Sequence, residues 1–306
     1  MFTNNIISEK IAKELSIYGK IEFNFSLSHN TTFKTGGNAD LFIEPFSEDS
    51  LTSILPLLKQ DGIPFHIIGG GSNLLISDKG LRGATITISG LENSFKISEG
   101  NIYAGAALSK EVFISKAISA GFGGVEFMAG IPGTIGGGIF MNAGTNMGSF
   151  VDILKKIKCV DYNGSLIDVD AETDISGYRK MNLPENTVIT GGIFSLPEIE
   201  DIDKARKCVD DIITDRWKKH PMEFPSAGSV FKNPEGFSSW KLIDDSGLKG
   251  IRIGGAMVSE KHTNFIINTG NATSSDIYNL ITHVQESVYN KSGVRLETEI
   301  KILGEF

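Results

Sequence analysis

Glycine is concentrated in the stretch Gly121–Gly148, GFGGVEFMAGIPGTIGGGIFMNAGTNMG, and a second run, IIGGGSNLL at Ile67–Leu75, follows an apolar segment. Glycine exposes its amide N–H with no Cβ in the way and tolerates positive φ, so both loops are suited to wrapping an anion with main-chain donors. Together they read as a cradle for one extended ligand, a phosphate or a dinucleotide, gripped from two sides. The competing reading is a set of tight turns between strands. Spelling excludes two familiar cradles. Neither loop has the Gly-x4-Gly-Lys-Ser/Thr order in which a lysine reaches the terminal phosphates, which excludes an ATP-hydrolysing P-loop. The Gly-x-Gly-x-x-Gly fingerprint is absent too, because Gly69-x-Gly71 runs on to Leu74 and the second loop reads Gly130-x-x-Gly133-x-x-Gly136. A nucleotide bound here sits on a fold other than the Rossmann fold.

Further polar side chains collect in the second half. Arg216–Pro234, RWKKHPMEFPSAGSVFKNP, combines the cations Arg216, Lys218 and Lys219 with a small-residue turn, Ser226–Ser229, and a cap-like Lys232-Asn233-Pro234. Ser229 lies between Gly228 and the β-branched Val230, so its Oγ is placed to project from the start of a strand; the same spacing equally suits an ordinary turn serine. Arg179, in SGYRKM, follows a tyrosine after a turn, a common setting for a surface cation. In LETEIKIL, Glu297 and Glu299 alternate to one face while Leu296, Thr298 and Ile300 take the other. Unless that face is solvated, two like charges on it need a functional explanation. His262, in SEKHTNF, suits a ligand contact or a half-buried packing role. No Ser-His-Asp order is legible, nor any paired histidines or Cys/His cluster of metal-ligand spacing, and no metal is expected.

The elements that must position these residues follow from the rest of the chain. Its 306 residues suffice for about two domains with ample cores. The balance of 29 basic and 37 acidic residues, −8 overall, argues against nucleic acid as a partner, so an anionic ligand needs locally placed cations. Two cysteines, Cys159 and Cys208, fit a reduced cytoplasmic protein. The start, MFTNNIISEKIAKELS, lacks a long apolar core, and no run approaches the roughly 18 apolar residues of a membrane span, so neither targeting nor anchoring is expected.

Asn30–Phe46 reads as extended chain broken at Gly36-Gly37, and Ser47–Gln60 as a helix capped by Ser47. PFHII, GATITI and NIYAGAAL are short strands, Ser109–Ala120 is helical by period, and Leu154–Asp161 and Val188–Leu196 are further strands. Such interleaving predicts an α+β domain over residues 1–199, with a boundary near Pro197. Ile202, Ala205, Val209, Ile212 and Ile213 then repeat at helical spacing, and Cys208 is expected to pack on that face. Beyond lie a strand at Ser229–Lys232, two strands around Ile253–Asn268, and a helix from Ser275 whose stripe is Ile277, Leu280, Ile281, Val284 and Val288, with His283 solvated at its edge. Gly293 ends that helix and Val294–Leu303 alternates as a strand.

Seven motifs in one order then carry a specific resemblance: NTTFKTGGNADLF, GGGSNLLISDKGLRGATI, GVEFMAGIPGTIGGGIFMNAG, Tyr178-Arg179, PSAGSVFKNP, GGAMVSEKHTNFIIN and LETEIKILG. From about Asn30 to Gly304 the chain resembles the UDP-N-acetylenolpyruvoylglucosamine reductase family, in its shorter subtype. One departure is Thr145-Asn146-Met147, where the family often has Ala-Tyr-Gly. The resemblance implies an FAD-binding domain of the vanillyl-alcohol-oxidase type over residues 1–199, core about 30–197, and a smaller α/β substrate-binding domain over 200–306. It implies noncovalent FAD held by Gly69, Gly70, Gly71, Ser72 and Asn73 and by Gly130, Ile131, Pro132, Gly133, Thr134, Gly137 and Gly138. It implies NADPH as reductant and a UDP-sugar substrate, reduced to UDP-N-acetylmuramate for peptidoglycan synthesis, in a monomeric cytoplasmic enzyme. By motif position Arg179 and Glu299 correspond to the pair that holds the developing enolate, and Ser229 to the proton donor. Tyr178, Arg216, Lys219, Asn233 and His262 correspond to substrate or phosphate contacts. Two other readings stand beside this one: a flavoprotein oxidase of the same fold, disfavoured because neither glycine loop holds a histidine or cysteine for covalent flavin, and a nucleotide-binding module without chemistry.

Overall fold

The computed structural model describes residues 9–171 and 175–306. Part of the expected amphipathic start, residues 1–8, lies outside the described residues. Packing divides the chain into two compact units, each assembled from separated stretches. The first comprises the described residues up to Phe23, Leu41–Gly70 and Gly83–Thr214; the second comprises Asn24–Asp40, Gly71–Arg82 and Asp215–Phe306. Among the described residues no helix is long and apolar enough to cross a membrane.

The first unit contains helix α1 (Glu9–Leu15) and the greater part of a four-stranded sheet in the order Gly19–Ser26, Asn38–Pro45, Leu81–Thr87, Phe65–Ile68, whose last two strands are parallel. Helix α2 (Glu48–Gln60) starts as its sequence dictates: the Ser47 hydroxyl accepts the Ser50 amide, and Leu51, Ile54, Leu55 and Leu58 are buried along one stripe. A second, antiparallel sheet runs Leu166–Asp170, Leu154–Asp161, Thr187–Ser195, Asn101–Gly105, Phe95–Ser98. Helices α3 (Lys110–Ser119), α4 (Ile135–Phe140) and α5 (Phe150–Ile153) accompany it. Three fully buried rings, Phe113, Phe150 and Phe194, join these helices to the sheet, with centroids 4.9 Å apart for Phe113–Phe194 and 6.2 Å for Phe150–Phe194. Each such ring contributes about 1.5–3 kcal/mol by leaving water. Helix α6 (Ile202–Lys219) follows. Contrary to expectation Cys208 is only half-buried, because α6 buries Ala205 alone and leaves Val209, Ile212 and Ile213 partly covered.

The second unit has its own core of Phe33, Leu75, Val230, Phe231, Ile243 and the stripe of its long helix. Helix α7 (Ser239–Asp245) leads to an antiparallel meander, Arg252–Ile253, Ala256–Val258, Ile266–Asn268, and then to α8 (Ser274–Ser292). Thr273 and Asp276 form a capping box, the Asp78 carboxylate accepts the Ser274 and Ser275 amides at 2.9 and 2.8 Å, and Gly293 closes the helix at φ 72°. Ile277, Leu280, Ile281, Val284 and Val288 are all buried, while His283 is exposed. Two expected strands shrink. Of Val294–Leu303 only Lys301–Leu303 is regular, parallel to Leu74–Ile76, and Ser229–Lys232 is held by isolated bridges, Ser229 to Phe265 and Phe231 to Thr298. The alternation is real, but each segment changes partner after one or two residues, so no ladder propagates.

Candidate functional site

The two glycine loops touch in the first unit. A Cβ on Gly70 would stand 3.1 Å from Gly133 Cα, and one on Gly69 would stand 3.2 Å from Thr134 Oγ1. Gly133 itself takes φ 108°, a conformation that L side chains avoid. Main chain therefore packs on main chain here, and no ligand fits between the loops at this point. A ligand held by both runs along their shared edge.

Helix α4 begins where they meet, and its amino end differs from the anion trap that the sequence suggested. The Ile135 amide donates to Leu108 O at 2.8 Å and Gly136 to Ala106 O at 3.0 Å, while Gly137 donates to Thr134 Oγ1 at 3.3 Å and Gly138 to Thr134 O at 2.9 Å. The amides of the first three helical residues, which a helix start leaves open, are thus engaged within the protein, and the Gly138 bond is the first of the helix's own. The three glycines also separate in role. A Cβ on Gly138 would lie 2.3 Å from the Phe150 ring, and one on Gly136 would lie 2.8 Å from Ala106 Cβ, so both are demanded by packing. On Gly137 it would meet nothing closer than Thr134 Oγ1 at 3.5 Å, and φ there is not positive. Nothing in the protein requires glycine at 137. The open space above it is a cradle that a side chain would fill, which is what a flat cofactor lying against the helix needs.

Tyr178 and Arg179 form the two-residue connection of a small hairpin, Ser176–Gly177 with Lys180–Met181. Arg179 holds φ at 57°, left-handed for a residue that is not glycine, and its guanidinium lies over the Tyr178 ring at 5.1 Å. Its Nη2 donates to Gly144 O at 2.9 Å, and Asn142 Nδ2 donates to Gly177 O at 3.3 Å. This hairpin is thus tied to the loop after α4. Gly144 begins a second hairpin, Gly144–Thr145 with Gly148–Ser149, whose turn is the departing Asn146-Met147, with Met147 exposed.

Between Gly70 and Gly71 the chain passes to the second unit. There Gly71, at φ 63°, lies so close to Asn30 that a Cβ would strike its carbonyl oxygen, and Asn73 Nδ2 donates to Glu299 O at 3.2 Å. The segments that carry Ser229 and Glu299 come together through two backbone bonds: the Glu299 amide donates to Val230 O at 2.7 Å, and the Lys232 amide donates to Glu297 O at 2.9 Å. Glu297 is exposed and salt-bridged to Lys232 at 3.3 Å, whereas Glu299 is half-buried. The two acids share a face by sequence, yet only one of them faces open solvent.

His262, Phe265, His220 and Trp240 form an aromatic group around this segment, with centroids 5.0 Å apart for His262–Phe265, 5.1 Å for His220–Phe265 and 5.2 Å for His220–His262. Trp240 flanks His262 at 6.5 Å. Burial, with His220 beside it, pushes His262 down to about 4, and its Nδ1 accepts the Asn264 amide at 3.3 Å, leaving Nε2–H as donor. Burial and then the Arg216 cation lower His220, and burial lowers Arg216 itself. Lys219 turns away to Asp215 at 2.6 Å, and Asn233 Oδ1 accepts the Ser239 amide at 3.0 Å. Sequence reasoning missed His220, Trp240, Asn264 and Phe265. The last two stand in the HTNF motif beside His262; His220 and Trp240 share no spacing with it.

A family model described as "UDP-N-acetylenolpyruvoylglucosamine reductase, C-terminal domain" matches residues 220–303, and one described as "FAD binding domain" matches residues 39–170. The latter spans both glycine loops, the former Ser229, Asn233, His262 and Glu299; Tyr178, Arg179, Arg216 and Lys219 fall outside both. The chain is similar to the UDP-N-acetylenolpyruvoylglucosamine reductase of Caldanaerobacter subterraneus subsp. tengcongensis, at 42% identity over 98% of this chain and 99% of the relative. It is 41% identical to that of Clostridioides difficile, over 91% of this chain and 92% of the relative. The crystal structure of the UDP-N-acetylenolpyruvylglucosamine reductase from Thermus caldophilus aligns with a TM-score of 0.79 at 30% identity, covering 94% and 99% of the two chains.

Proposed function

The chain belongs to the UDP-N-acetylenolpyruvoylglucosamine reductase family, and from that membership we propose that it reduces UDP-N-acetyl-3-O-(1-carboxyvinyl)-glucosamine to UDP-N-acetylmuramate with NADPH. It is an FAD enzyme of peptidoglycan precursor synthesis. The site's chemistry fits that cofactor, since the open face at Gly137 suits a flat ring. Bound FAD would supply the hydride chemistry, linking NADPH as reductant to the terminal vinyl carbon of the substrate.

The residues then handle the charge and the proton. As the vinyl carbon accepts the electron pair, negative charge moves into the conjugated carboxylate. Arg179 stabilises it electrostatically and a neutral Glu299 donates a hydrogen bond to it. The Ser229 Oγ–H gives its proton to the α-carbon, completing the saturated lactyl ether; an enolate with carbanion character is basic enough to take a proton from a hydroxyl. Arg216 and His262, both half-buried, and Tyr178, Lys219 and Asn233 contact the substrate or its phosphates. The observation that supports this reading is the pair of backbone bonds between Val230–Lys232 and Glu297–Glu299, which brings the segment that carries Ser229 beside the one that carries the half-buried Glu299. FAD is held noncovalently by residues 69–73 and 130–138, in a protein that works as a cytoplasmic monomer with residues 1–199 and 200–306 as its functional divisions.

The test is an anaerobic titration. NADPH should bleach the yellow protein, and the enolpyruvyl sugar nucleotide should restore the colour. In heavy water the product should carry one solvent deuteron at the lactyl α-carbon. Failure of the sugar nucleotide to reoxidise the bleached protein would refute the assignment.

A further inference from the structure

The segment that carries Ser229 is not part of a regular sheet, yet it is held at three points by one residue. Asn264 accepts the Val230 amide on its backbone oxygen at 2.8 Å. Its side chain then meets Phe231 twice: Oδ1 accepts the Phe231 amide at 3.0 Å, and Nδ2 donates to the Phe231 oxygen at 2.8 Å. Asn264 is 5% exposed, so both side-chain bonds are shielded from water. A single carboxamide thus takes the place of a missing strand. On the opposite edge, the next backbone groups along hold the Glu299 and Glu297 segment.

We propose that Asn264 is a positioning residue for the reaction, fixing the register of Ser229 against Glu299. Its grip falls on Val230 and Phe231, one and two residues beyond Ser229, and Val230 is also the residue whose oxygen holds the Glu299 amide. A carboxamide, or a neutral carboxylic acid, carries its acceptor and its donor on two atoms of one short planar group, and so can accept from N–H and donate to C=O of the same residue. The meander strand Ile266–Asn268 keeps its own partners in Ala256–Val258, so loss of the clamp frees the Ser229 segment and not the sheet beside it. This inference rests on the proton-donor role of Ser229.

The test compares Asn264→Asp and Asn264→Leu with wild type by anaerobic stopped-flow absorbance of the two half-reactions. A carboxylate at this position cannot donate and sets a charge against the Phe231 oxygen, whereas its protonated form restores both bonds. Burial favours the protonated form. The titratable groups around it, His262 on its own turn and Lys232, Glu297 and Glu299 on the neighbouring segments, are common to all the proteins and cancel in the ratio to wild type. At pH 8, reoxidation by the sugar nucleotide should be roughly 10²-fold slower in Asn264→Asp, the cost of about 1 Å of misplacement. It should recover towards wild type as the pH falls, while Asn264→Leu stays slow throughout. Bleaching by NADPH should be unchanged in both. In a Ser229→Ala background Asn264→Leu should add little further slowing, because the group it positions is already gone. A pH-independent ratio for Asn264→Asp, fully additive slowing in the double variant, or equal slowing of both half-reactions would overturn the proposal. If Ser229→Ala is slow while Asn264→Asp and Asn264→Leu are normal, only this inference falls. If Ser229→Ala alone reoxidises at the wild-type rate, the proton-donor assignment falls and takes this one with it.

Discussion

Gly137 separates what the fold needs from what the cofactor needs. It occupies the third position of α4 with helical φ, its amide is on Thr134 Oγ1, and an added Cβ meets nothing nearer than 3.5 Å. Replacing glycine by alanine in a helix stabilises by roughly 0.5–1 kcal/mol, because glycine loses more backbone freedom on folding. Valine returns part of that through its restricted χ1 and ends near neutral. The apoprotein should therefore melt at or above the wild-type temperature in Gly137→Ala, and near it in Gly137→Val. The flavin-loaded protein should do the reverse. A group forced into a packed contact costs about 1–3 kcal/mol, so FAD should bind about 10–100-fold more weakly to Gly137→Ala, and Gly137→Val should purify colourless. Melting curves with and without added FAD read both effects, since ligand binding raises stability with concentration. Gly138→Ala is the contrast: its Cβ would lie 2.3 Å from the Phe150 ring, so the apoprotein itself should lose stability. Full flavin occupancy in Gly137→Val, or an apoprotein as unstable as that of Gly138→Ala, would refute the reasoning.

The remaining predictions concern the chemistry and its support. Arg179→Ala and Glu299→Ala should each keep FAD and bleach with NADPH, but reoxidise about 10²–10³-fold more slowly with the sugar nucleotide; near-normal reoxidation would remove that residue from the mechanism. Arg179→Gly should be as slow as Arg179→Ala yet about 1 kcal/mol more stable, because glycine adopts φ 57° without strain, which denaturant melts can resolve. Ser229→Ala should slow only reoxidation, by about 10²–10⁴-fold, and Ser229→Cys should recover part of it; equal slowing of both half-reactions would point to a structural role. His262 is held near 4 against an ordinary 6.5, so the unfolded chain takes up a proton between those values and the folded chain does not. Its contribution is complete above about pH 6.5 and is lost as pH falls towards 4, so melting temperature should drop across that window, less steeply in His262→Gln.

What the sequence made legible was local. The Ser47 cap, the Gly293 stop and the stripe of α8 depend on residues within a few positions of each other, and spacing alone finds them. Two kinds of information were not local. One is the assembly of each unit from separated stretches: Asn24–Asp40 and Gly71–Arg82 pack with the C-terminal segment, and Asn268 Nδ2 reaches Phe33 O at 2.9 Å across 235 residues of sequence. No periodicity encodes such a contact. The other is the reason for a glycine. Gly136, Gly137 and Gly138 are identical letters in one run, and the sequence assigned them one purpose, amides offered to an anion. In the fold the amides are already bonded, two of the glycines make room for Ala106 and Phe150, and only the middle one leaves space unclaimed. The same holds for the acids of LETEIKIL. Alternation put Glu297 and Glu299 on one face, but the pairing of Lys232 with Glu297 and of Val230 with Glu299 decides which carboxyl is neutralised in solvent and which is half-buried. That pairing depends on a segment some 65 residues earlier, held in place by Asn264, a residue whose letter alone suggests only a turn. Function here is therefore carried less by residue type than by which backbone each side chain hangs from.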